Sequence, residues 1–580
     1  MNYQYPGTFL SYPLVHEKYP DPEFDPQGVP YGIQPDPDNP YIDHRGNTRC
    51  VYVYRPASIK PMMNVHAMIV LTEDGHEMGL EKALVEGGFL DLAEKEGFFL
   101  FFAVAGEGGW EPGDTGYLSQ LIHSVAISCV FSGRERCHDY RICLIAAGKG
   151  AEIAHATAAL YPDHVNSLLS FGGNISRELL SYPDEDAAAS VWMVNSTGDG
   201  YKFWLRANGL SDETPVCFGD SVSYVDKENR ARQLRLITTP NQGIDSGIVL
   251  RFWRDVFSTN INPFSVKRGR VANIMDVIDN YRPSIHLNDR SLGSNSHAPH
   301  TWLEFSPENV KADGTQYPMV LFLHGGACDA FIEAANTGLH CFGDKMGFFT
   351  VYATATNGFS WNSVFHPNRE NDVEYIESLI KHMLDRYPID PSRVYISGFS
   401  NGSGMAQVFS VCHPEMIAGV MAFNTRFRPD EKTYKAAALA KQRRDYRMPV
   451  FYSYGTRDAE YPILNGSAQF EQMRFWKAYN NIEQKELDEK HPSRVGCTPD
   501  KVTLWGKTPD GDFEYSTNEF NTQDEPNINL YNYTIVEKLP HAVEPRLIPA
   551  AWAFVSQFSR SREGELIFSK GMGDYELYEV

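Results

Sequence analysis

The chain contains two copies of one sequence pattern, at an offset of about 251 residues. The segment "CVYVYRPAS" from Cys50 matches "TWLEFSPEN" from Thr301, and "EKEGFFLFFA" matches "DKMGFFTVYA". Further on, "LIAAGKGAEIA" matches "YISGFSNGSGMA". A register that holds over several segments predicts tandem duplicated domains. The length of 580 residues agrees, because a chain of this size is expected to form two or more domains.

Each copy alternates short apolar runs with helical patterns. In the second copy the runs "MVLFLHG", "GFFTVYAT", "RVYISGFS", "IAGVMAFN" and "PVFYSYG" are typical of buried strands. Between them, "DVEYIESLIKHMLDRY" places apolar residues at helical spacing. Strand–helix alternation predicts an α/β fold in which a mostly parallel sheet is flanked by helices.

The composition divides the chain into three regions. Residues 1–45 are an N-terminal arm with nine prolines in the first forty positions, which we expect to be irregular and to pack over the body of the protein. Residues 46–262 form the first copy and residues 263–580 the second. The boundary is predicted to lie within "STNINPFSVKRGR".

The charge of the chain restricts its partners, and its apolar runs and cysteines bear on where it is found. The net charge of −22 argues against nucleic acid or an anionic membrane as a partner. No apolar run reaches 18 residues, and the N-terminus does not read as a secretory signal. The nine cysteines include no CxxC pair and are expected to be reduced, buried thiols of a cytoplasmic protein. A homo-oligomer is left open.

The second copy contains one Gly-x-Ser-x-Gly sequence, Gly398 to Gly402, centred on Ser400. The strand-like "RVYIS" precedes it and the helix-like "GMAQVFSVC" follows it. This order of strand, tight turn and helix is what a nucleophile elbow requires, and small flanking residues allow the turn to close. The motif predicts Ser400 as a catalytic nucleophile.

A serine nucleophile needs a base and an orienting acid, expected here in the chain order Ser, Asp or Glu, His. Asp458 follows the strand-like "PVFYSYG", and His541 lies in a loop before a helix-like segment. We predict that these residues complete a triad. Asp458 could instead be an ordinary turn aspartate, with Asp385 or Glu460 as the alternative acids.

Two loops are expected to bind the substrate. The oxyanion hole is predicted to use the backbone N–H groups of Asn401 and of Gly326 or Ala327, in the loop after "MVLFLHGG". His324 in that loop is a candidate substrate contact, although bracing the loop is the favoured interpretation. Trp361 follows another strand end and either stacks on an acyl group or packs under its loop.

These segments, above all "RYPIDPSRVYISGFSNGSGMA", together resemble the polyhydroxybutyrate depolymerase and feruloyl esterase group of α/β-hydrolases over about residues 300–560. The resemblance implies ester hydrolysis through an acyl-enzyme, with Ser400, Asp458 and His541 as the triad. Because the first copy repeats the pattern of the second, the resemblance implies two tandem α/β-hydrolase-type domains. A long polar stretch at 482–530 departs from the pattern, and we expect part of it to form a loop or hairpin near the site.

The first copy lacks most of these groups. Gly148 replaces the serine, Asn241 stands near the position of the histidine, and only Asp199 matches its counterpart. Thr72, Glu73, Asp74 and Gly75 replace the "LHGG" loop. The first copy is therefore predicted to be catalytically inactive, with a role in packing, entrance shaping or association.

The leading hypothesis is a serine esterase acting on feruloyl-type or short hydroxyacyl esters, with a small-molecule or oligomeric substrate. It requires no cofactor and no metal. One alternative is a serine peptidase or amidase that uses the same triad. Another is a binding or scaffold protein in which both copies are inactive.

Overall fold

The computed structural model describes the chain in segments, and the statements below concern those residues. They are 8–17, 35–59, 64–73, 84–85, 87–127, 136–162, 165–175, 187–212, 215–263, 270–292, 298–358, 360–425, 427–458, 461–506 and 513–569. The chain divides into two compact units, Met1–Asn280 and Tyr281–Val580.

The first unit contains fourteen described strands, numbered in chain order. They are β1 (Thr8–Pro13), β2 (Val15–Glu17), β3 (Pro35–Pro40), β4 (Cys50–Arg55), β5 (Asn64–Leu71), β6 (Phe99–Ala103), β7 (Arg136–Ala147), β8 (Val165–Phe171), β9 (Ser190–Val194), β10 (Val216–Phe218), β11 (Ser221–Val225), β12 (Gln233–Ile237), β13 (Asn260–Ile261) and β14 (Ala272–Asn273). Its described helices are Phe89–Glu96, Asp114–Ile127, Gly148–Leu160, Tyr201–Ala207, Ser246–Phe252, the π-helix Trp253–Phe257, and Ile274–Tyr281, in which the division between the units falls.

The described strands of the second unit are β15 (Ser284–Asp289), β16 (His300–Phe305), β17 (Tyr317–Leu323), β18 (Phe349–Thr354), β19 (Ile389–Phe399), β20 (Gly419–Phe423), β21 (Val450–Gly455), β22 (Lys501–Trp505), β23 (Tyr515–Asn521), β24 (Asn529–Val536), β25 (Phe558–Arg560) and β26 (Leu566–Phe568). The described helices of this unit are Ala330–Thr337, Leu339–Met346, Asp372–Arg386, Asn401–Cys412, Glu431–Arg443, Ala468–Tyr479 and Leu547–Val555.

Each unit is built on a ten-stranded sheet, and both sheets follow one strand order. The first runs β1-β4-β6-β5-β7-β8-β9-β12-β11-β10, and the second runs β15-β16-β18-β17-β19-β20-β21-β24-β23-β22. The central pairs are parallel, while two strands at each edge pair antiparallel. Every residue of β20 and β21 is buried, as expected for parallel strands covered on both faces. The predicted α/β fold with mostly parallel sheets is confirmed.

Two segments near the expected domain boundaries take part in the first unit. Residues 8–13 of the presumed irregular arm form β1, which pairs antiparallel with β4 and makes an edge of the first sheet. Part of the arm, residues 1–7 and 18–34, lies outside the described residues. The first unit also extends to Asn280 rather than to residue 262. Residues beyond 262 belong to the first unit because β14 pairs with β13 and because Asp276 accepts a hydrogen bond from Arg230.

The polar stretch at 482–530 contains the expected hairpin, since β22 pairs antiparallel with β23 at the end of the second sheet. The seven cysteines whose side chains the structure describes form no disulfide. Three of them are buried, but Cys50, Cys217 and Cys341 are exposed, so the expectation of uniformly buried thiols is wrong. In the part of the chain that the structure covers, no helix combines the length and apolar character needed to cross a bilayer.

Candidate active site

Ser400 lies in the turn between β19 and the helix Asn401–Cys412, with φ 50° and ψ −118°. Positive φ is costly for a residue with a side chain, and it persists only where the surrounding structure imposes it. Here the Ser400 N–H donates to the carbonyl of Phe423 at 3.0 Å, and the Ser400 carbonyl accepts from Gly404 N at 3.1 Å. The turn is therefore held in the strained geometry of a nucleophile elbow.

The two glycines of the motif are required by close backbone approach. A Cβ on Gly398 would lie 2.5 Å from the carbonyl carbon of Gly402. A Cβ on Gly402 would lie 2.1 Å from the carbonyl oxygen of Leu323, at the end of β17. No side chain fits at either position, so the glycines allow the elbow to pack against the neighbouring strand.

Ser400, His541 and Asp458 form one continuous hydrogen-bonded chain. His541 Nε2 lies 2.8 Å from Ser400 Oγ, and His541 Nδ1 lies 2.7 Å from Asp458 Oδ2. Both side chains are buried: His541 is 5 % exposed and Asp458 is 6 % exposed. With its Nδ1–H donated to the carboxylate, His541 presents Nε2 as the acceptor for the serine proton.

Neither alternative acid is seen to bind His541. Asp385 is exposed on the helix Asp372–Arg386, and the acid that His541 binds is Asp458. Glu460 lies outside the described residues.

The loops that carry the acid and the base are tied to each other. A Cβ on Gly455 would lie 2.0 Å from the carbonyl oxygen of Leu539, so only glycine allows these segments to meet. The Arg457 N–H donates to that same carbonyl at 3.1 Å. Asn424 Nδ2 donates to the Pro540 carbonyl at 3.0 Å, which fixes the residue preceding the histidine. These contacts hold the acid–base distance independently of the triad itself.

The expected oxyanion loop lies beside the nucleophile. A Cβ on Gly325 would be 3.5 Å from Ser400 Cβ, so residues 325–327 run past the serine. Ala327 adopts φ 64°, a conformation rare for alanine. On the other side, Asn401 is the first residue of its helix, where the backbone N–H has no intrahelical partner. Asn401, Gly326 and Ala327 remain the predicted donors.

His324 is a bracing residue rather than a substrate contact. Its side chain is buried, and its Nε2 accepts a hydrogen bond from Ala355 N at 2.9 Å. The Nδ1–H faces the Gly325 carbonyl at 2.5 Å. Burial lowers the pKa of the imidazole to about 4, so the ring is neutral and ties the oxyanion loop to the end of β18.

Of the two interpretations of Trp361, the structure agrees with packing under its loop, because the residue is 0 % exposed. Its Nε1–H donates to the His324 carbonyl at 2.9 Å, and its backbone N–H donates to Asn401 Oδ1 at 2.5 Å. The tryptophan thus connects the oxyanion loop to the residue that follows the nucleophile.

The sequence pattern of a family described as Phospholipase/Carboxylesterase matches residues 349–497, which include Ser400 and Asp458. A bifunctional acetylxylan esterase/xylanase of Neocallimastix patriciarum is 29% identical over 207 residues, covering 35% of this chain and 27% of that protein. Feruloyl esterase B of Talaromyces funiculosus is 30% identical over 187 residues, covering 30% of this chain and 44% of that enzyme.

Poly(3-hydroxyalkanoate) depolymerase C of Paucimonas lemoignei is 30% identical over 109 residues, covering 18% of this chain and 26% of that protein. The chain therefore spans less than half the length of each of these three relatives. Residues 349–497 thus match a carboxylesterase family, and the second unit is similar to feruloyl esterases and to a polyhydroxyalkanoate depolymerase. The predicted resemblance is confirmed.

Glu333 is a residue beside the oxyanion loop that the sequence analysis missed. It lies in the helix Ala330–Thr337, is fully buried, and accepts a hydrogen bond from Gly325 N at 3.0 Å through Oε1. Burial raises the pKa of its carboxyl to about 7. Sequence inspection had only one signal to offer, an acidic residue within an apolar helix just after the "LHGG" loop.

Asp372 is a second missed residue, and it organises the loop that carries Trp361. Its carboxylate accepts from Asn362 N at 2.7 Å and from Thr356 Oγ1 at 2.7 Å. Asp372 is the first residue of its helix and is buried, although acidic residues in that place are usually exposed. The sequence pattern alone indicates only a favourable helix start.

In the first unit, the turn at Gly148 has a different environment from the turn at Ser400. Gly148 has φ 53°, and a Cβ there would lie 2.5 Å from the Glu73 Cγ atom. The place of the missing serine side chain is thus occupied by a glutamate. Asp74 and Gly75, which replace part of the "LHGG" loop, lie outside the described residues.

In the first unit, the residues that match the catalytic acid and base in the sequence, Asp199 and Asn241, bind other partners. Asp199 has a side chain that is 76 % exposed, and it lies 3.5 Å from Lys202 Nζ. Asn241 Nδ2 donates to Asp245 Oδ2 at 2.9 Å. An exposed aspartate and an amide paired with a helix cap do not make an acid–base pair.

Proposed function

We propose that the protein is a serine hydrolase of carboxylic esters that works through an acyl-enzyme in its second unit. The observation that carries the proposal is the continuous chain Ser400–His541–Asp458, with distances of 2.8 Å and 2.7 Å. A serine hydroxyl is a weak nucleophile alone, and a base held in one orientation by a buried carboxylate activates it.

In the first half of the reaction, Ser400 Oγ attacks the ester carbonyl carbon while His541 Nε2 takes the serine proton. The carbonyl oxygen becomes an oxyanion, to which the backbone N–H groups of Asn401 and of Gly326 or Ala327 donate. The carbon–oxygen bond to the alcohol then breaks, and His541 returns the proton to the leaving alcohol. The acyl group remains on Ser400.

In the second half, water loses a proton to His541 and attacks the acyl carbon. The bond to Ser400 Oγ breaks, the serine regains its proton, and the carboxylic acid leaves. Throughout, the Asp458 carboxylate holds the imidazole orientation and stabilises the imidazolium. No group beyond these side chains and water enters the balance.

The proposed substrates are feruloyl-type esters and short hydroxyacyl or acetyl esters. The support is the similarity to proteins described as feruloyl esterase, acetylxylan esterase and poly(3-hydroxyalkanoate) depolymerase. The second unit does not offer Trp361 as an aromatic platform, since its ring is buried. We therefore expect residues other than Trp361 to determine which acyl groups the protein prefers.

We further propose that the two units are diverged copies and that the first is non-catalytic. The shared strand order of the sheets supports a common origin. The glutamate beside Gly148 and the exposed Asp199 support the loss of catalysis. The first unit would then contribute by packing or association and not by turnover.

The test compares the full-length wild type with Ser400→Ala on p-nitrophenyl acetate, p-nitrophenyl hydroxybutyrate and methyl ferulate, with a matched amide in parallel. Ser403, a buried serine three positions further on, provides the control variant Ser403→Ala. We expect Ser400→Ala to lose about 10⁶-fold in kcat and to fail to react with a fluorophosphonate probe. Unchanged ester turnover in folded Ser400→Ala would overturn the proposal.

A further inference from the structure

Three metal-ligand side chains meet near an edge of the second sheet, on elements that the catalytic chain does not use. His286 comes from β15, Glu304 from β16, and His382 from the helix Asp372–Arg386. Glu304 Oε1 lies 3.2 Å from the Nε2 atom of each histidine. Two imidazoles and one carboxylate form the donor set of several three-ligand zinc sites.

The tautomer of His286 is set from the opposite side of its ring. Asp289 Oδ2 lies 3.0 Å from His286 Nδ1. Ser291 N donates to Asp289 Oδ1 at 2.6 Å, so this carboxylate acts as an acceptor. The Nδ1 atom therefore carries the proton. A carboxylate behind a histidine in this way is the usual outer partner of a metal-binding imidazole.

The other ring nitrogen of His286 is then left with an unusual neighbour. Its Nε2 atom is buried and makes no hydrogen bond, although Glu304 Oε1 is only 3.2 Å away. The contact lies off the direction in which an Nε2–H group would point. With the proton on Nδ1, the Nε2 lone pair accepts no hydrogen bond, and a bound cation would satisfy it.

Glu304 is held as a carboxylate. Its side chain is 1% exposed, and it accepts from Trp302 Nε1 at 2.8 Å and from Tyr387 Oη at 2.6 Å. The exposed Arg386 Nε lies 3.9 Å from Glu304 Oε2, and a cation beside Oε1 would compensate this buried charge at closer range.

Two of the three ligand-atom separations agree with tetrahedral coordination, and the two histidine nitrogens lie within 4.8 Å of each other. Ligand atoms about 2.1 Å from a tetrahedral zinc ion are about 3.4 Å from one another. The measured Glu304 Oε1 separations from His286 Nε2 and from His382 Nε2 are both 3.2 Å. The two histidine side chains are partly exposed, which leaves them room to close around an ion.

The fold itself does not demand this cluster, as the first unit demonstrates. Val53 pairs with Phe101 across β4 and β6, in the place where Glu304 pairs with Val351 across β16 and β18. That valine is fully buried and apolar. A sheet of the same strand order is thus completed without a carboxylate at this position, so Glu304 has a role beyond folding.

We propose that His286 Nε2, His382 Nε2 and Glu304 Oε1 bind one zinc ion, with water as the fourth ligand. The ion ties the edge strand β15 to its neighbour β16 and to the helix that packs over them. It neutralises the buried carboxylate and takes no part in the serine chemistry.

The experiment uses the full chain after removal of metal with a chelator and dialysis. Zinc affinity is measured by competition with a chromogenic chelator, and stoichiometry by elemental analysis. We expect one zinc per chain in the wild type, and an affinity at least about 100-fold weaker in His286→Gln and His382→Gln. His413→Ala is the control, because His413 also faces carboxylates but is not grouped with a second histidine.

Two further readouts separate ligand loss from misfolding. Asp289→Asn leaves the three ligands in place and should weaken zinc binding about 10- to 100-fold. Cobalt in the wild type should give the intense visible bands of tetrahedral coordination. Weak octahedral-type bands in the wild type, or zinc bound equally by wild type and folded histidine variants, would overturn the proposal.

Discussion

His541 Nδ1 lies 2.7 Å from Asp458 Oδ2, and both side chains are buried. Replacing the acceptor by an amide removes the charge that orients the ring and stabilises its protonated form. We expect Asp458→Asn to lower kcat for a p-nitrophenyl ester about 10⁴-fold, with the circular dichroism spectrum preserved. The matched control is Asp385→Asn, at the exposed alternative acid. A comparable loss in both variants would contradict the assignment.

The backbone contact at Gly402 predicts a sharp contrast between neighbouring glycines. A Cβ there would lie 2.1 Å from Leu323 O, whereas a Cβ on Gly404 would meet nothing closer than 3.6 Å. We expect Gly402→Ala to lower the free energy of unfolding by about 1–3 kcal/mol and to abolish labelling of Ser400 by a fluorophosphonate. Gly404→Ala should retain both, as measured by urea unfolding and probe labelling. Equal behaviour of the two variants would refute the packing argument.

Glu333 predicts a pH dependence of stability with a definite sign. Its folded-state pKa of about 7 lies above the ordinary 4.5, so between these values the unfolded state releases the proton more readily. The wild type therefore loses stability as pH rises from about 4.5 to 7, by up to about 3 kcal/mol. Glutamine does not titrate, so Glu333→Gln should gain stability relative to the wild type across this window.

Urea unfolding at pH 5 and pH 8 checks the Glu333 prediction. Glu431→Gln, at an exposed carboxylate in the first turn of its helix, serves as the control. The stability difference between wild type and Glu333→Gln should change sign or magnitude between the two pH values, whereas that of the control should not. A constant difference would show that Glu333 keeps the same ionisation state in the folded and unfolded chain.

Gly148 tests whether the first unit can be made catalytic by its missing serine alone. We expect Gly148→Ser in a Ser400→Ala background to show no ester turnover, since Asn241 replaces the base and Asp199 is exposed. The variant should also lose stability, because a Cβ at φ 53° would contact Glu73 Cγ at 2.5 Å. Measurable turnover that depends on the new serine would contradict the proposal of an inactive first unit.

Several features were predictable because their signals are local or periodic. The alternation of strand and helix indicated the sheet, and the repeat indicated two similar units. The glycines around Ser400 predicted a tight turn, since a sharp strand-to-helix turn excludes side chains within a few residues. The order of Asp458 and His541 along the chain narrowed the triad to a short set of alternatives.

Other features depended on burial and distance, which one-dimensional patterns do not encode. Trp361 looked like a candidate platform, but its loop folds inward so that the indole N–H satisfies the His324 carbonyl. Glu333 looked like an ordinary helix residue, yet it is buried against the oxyanion loop. The arm looked irregular from its prolines, but an edge strand tolerates proline, and β1 completes the first sheet.

The amino-acid sequence by itself determined the fold class, the elbow at Ser400 and the chemistry that a serine, a histidine and an aspartate can perform together. The tertiary structure decided that Asp458 is the acid that binds His541. It also brought His286, Glu304 and His382 together from three separate elements. The physical reason is that turns and periodicity arise from neighbouring residues, whereas hydrogen-bond partners are chosen by which distant segments the packed core brings within about 3 Å.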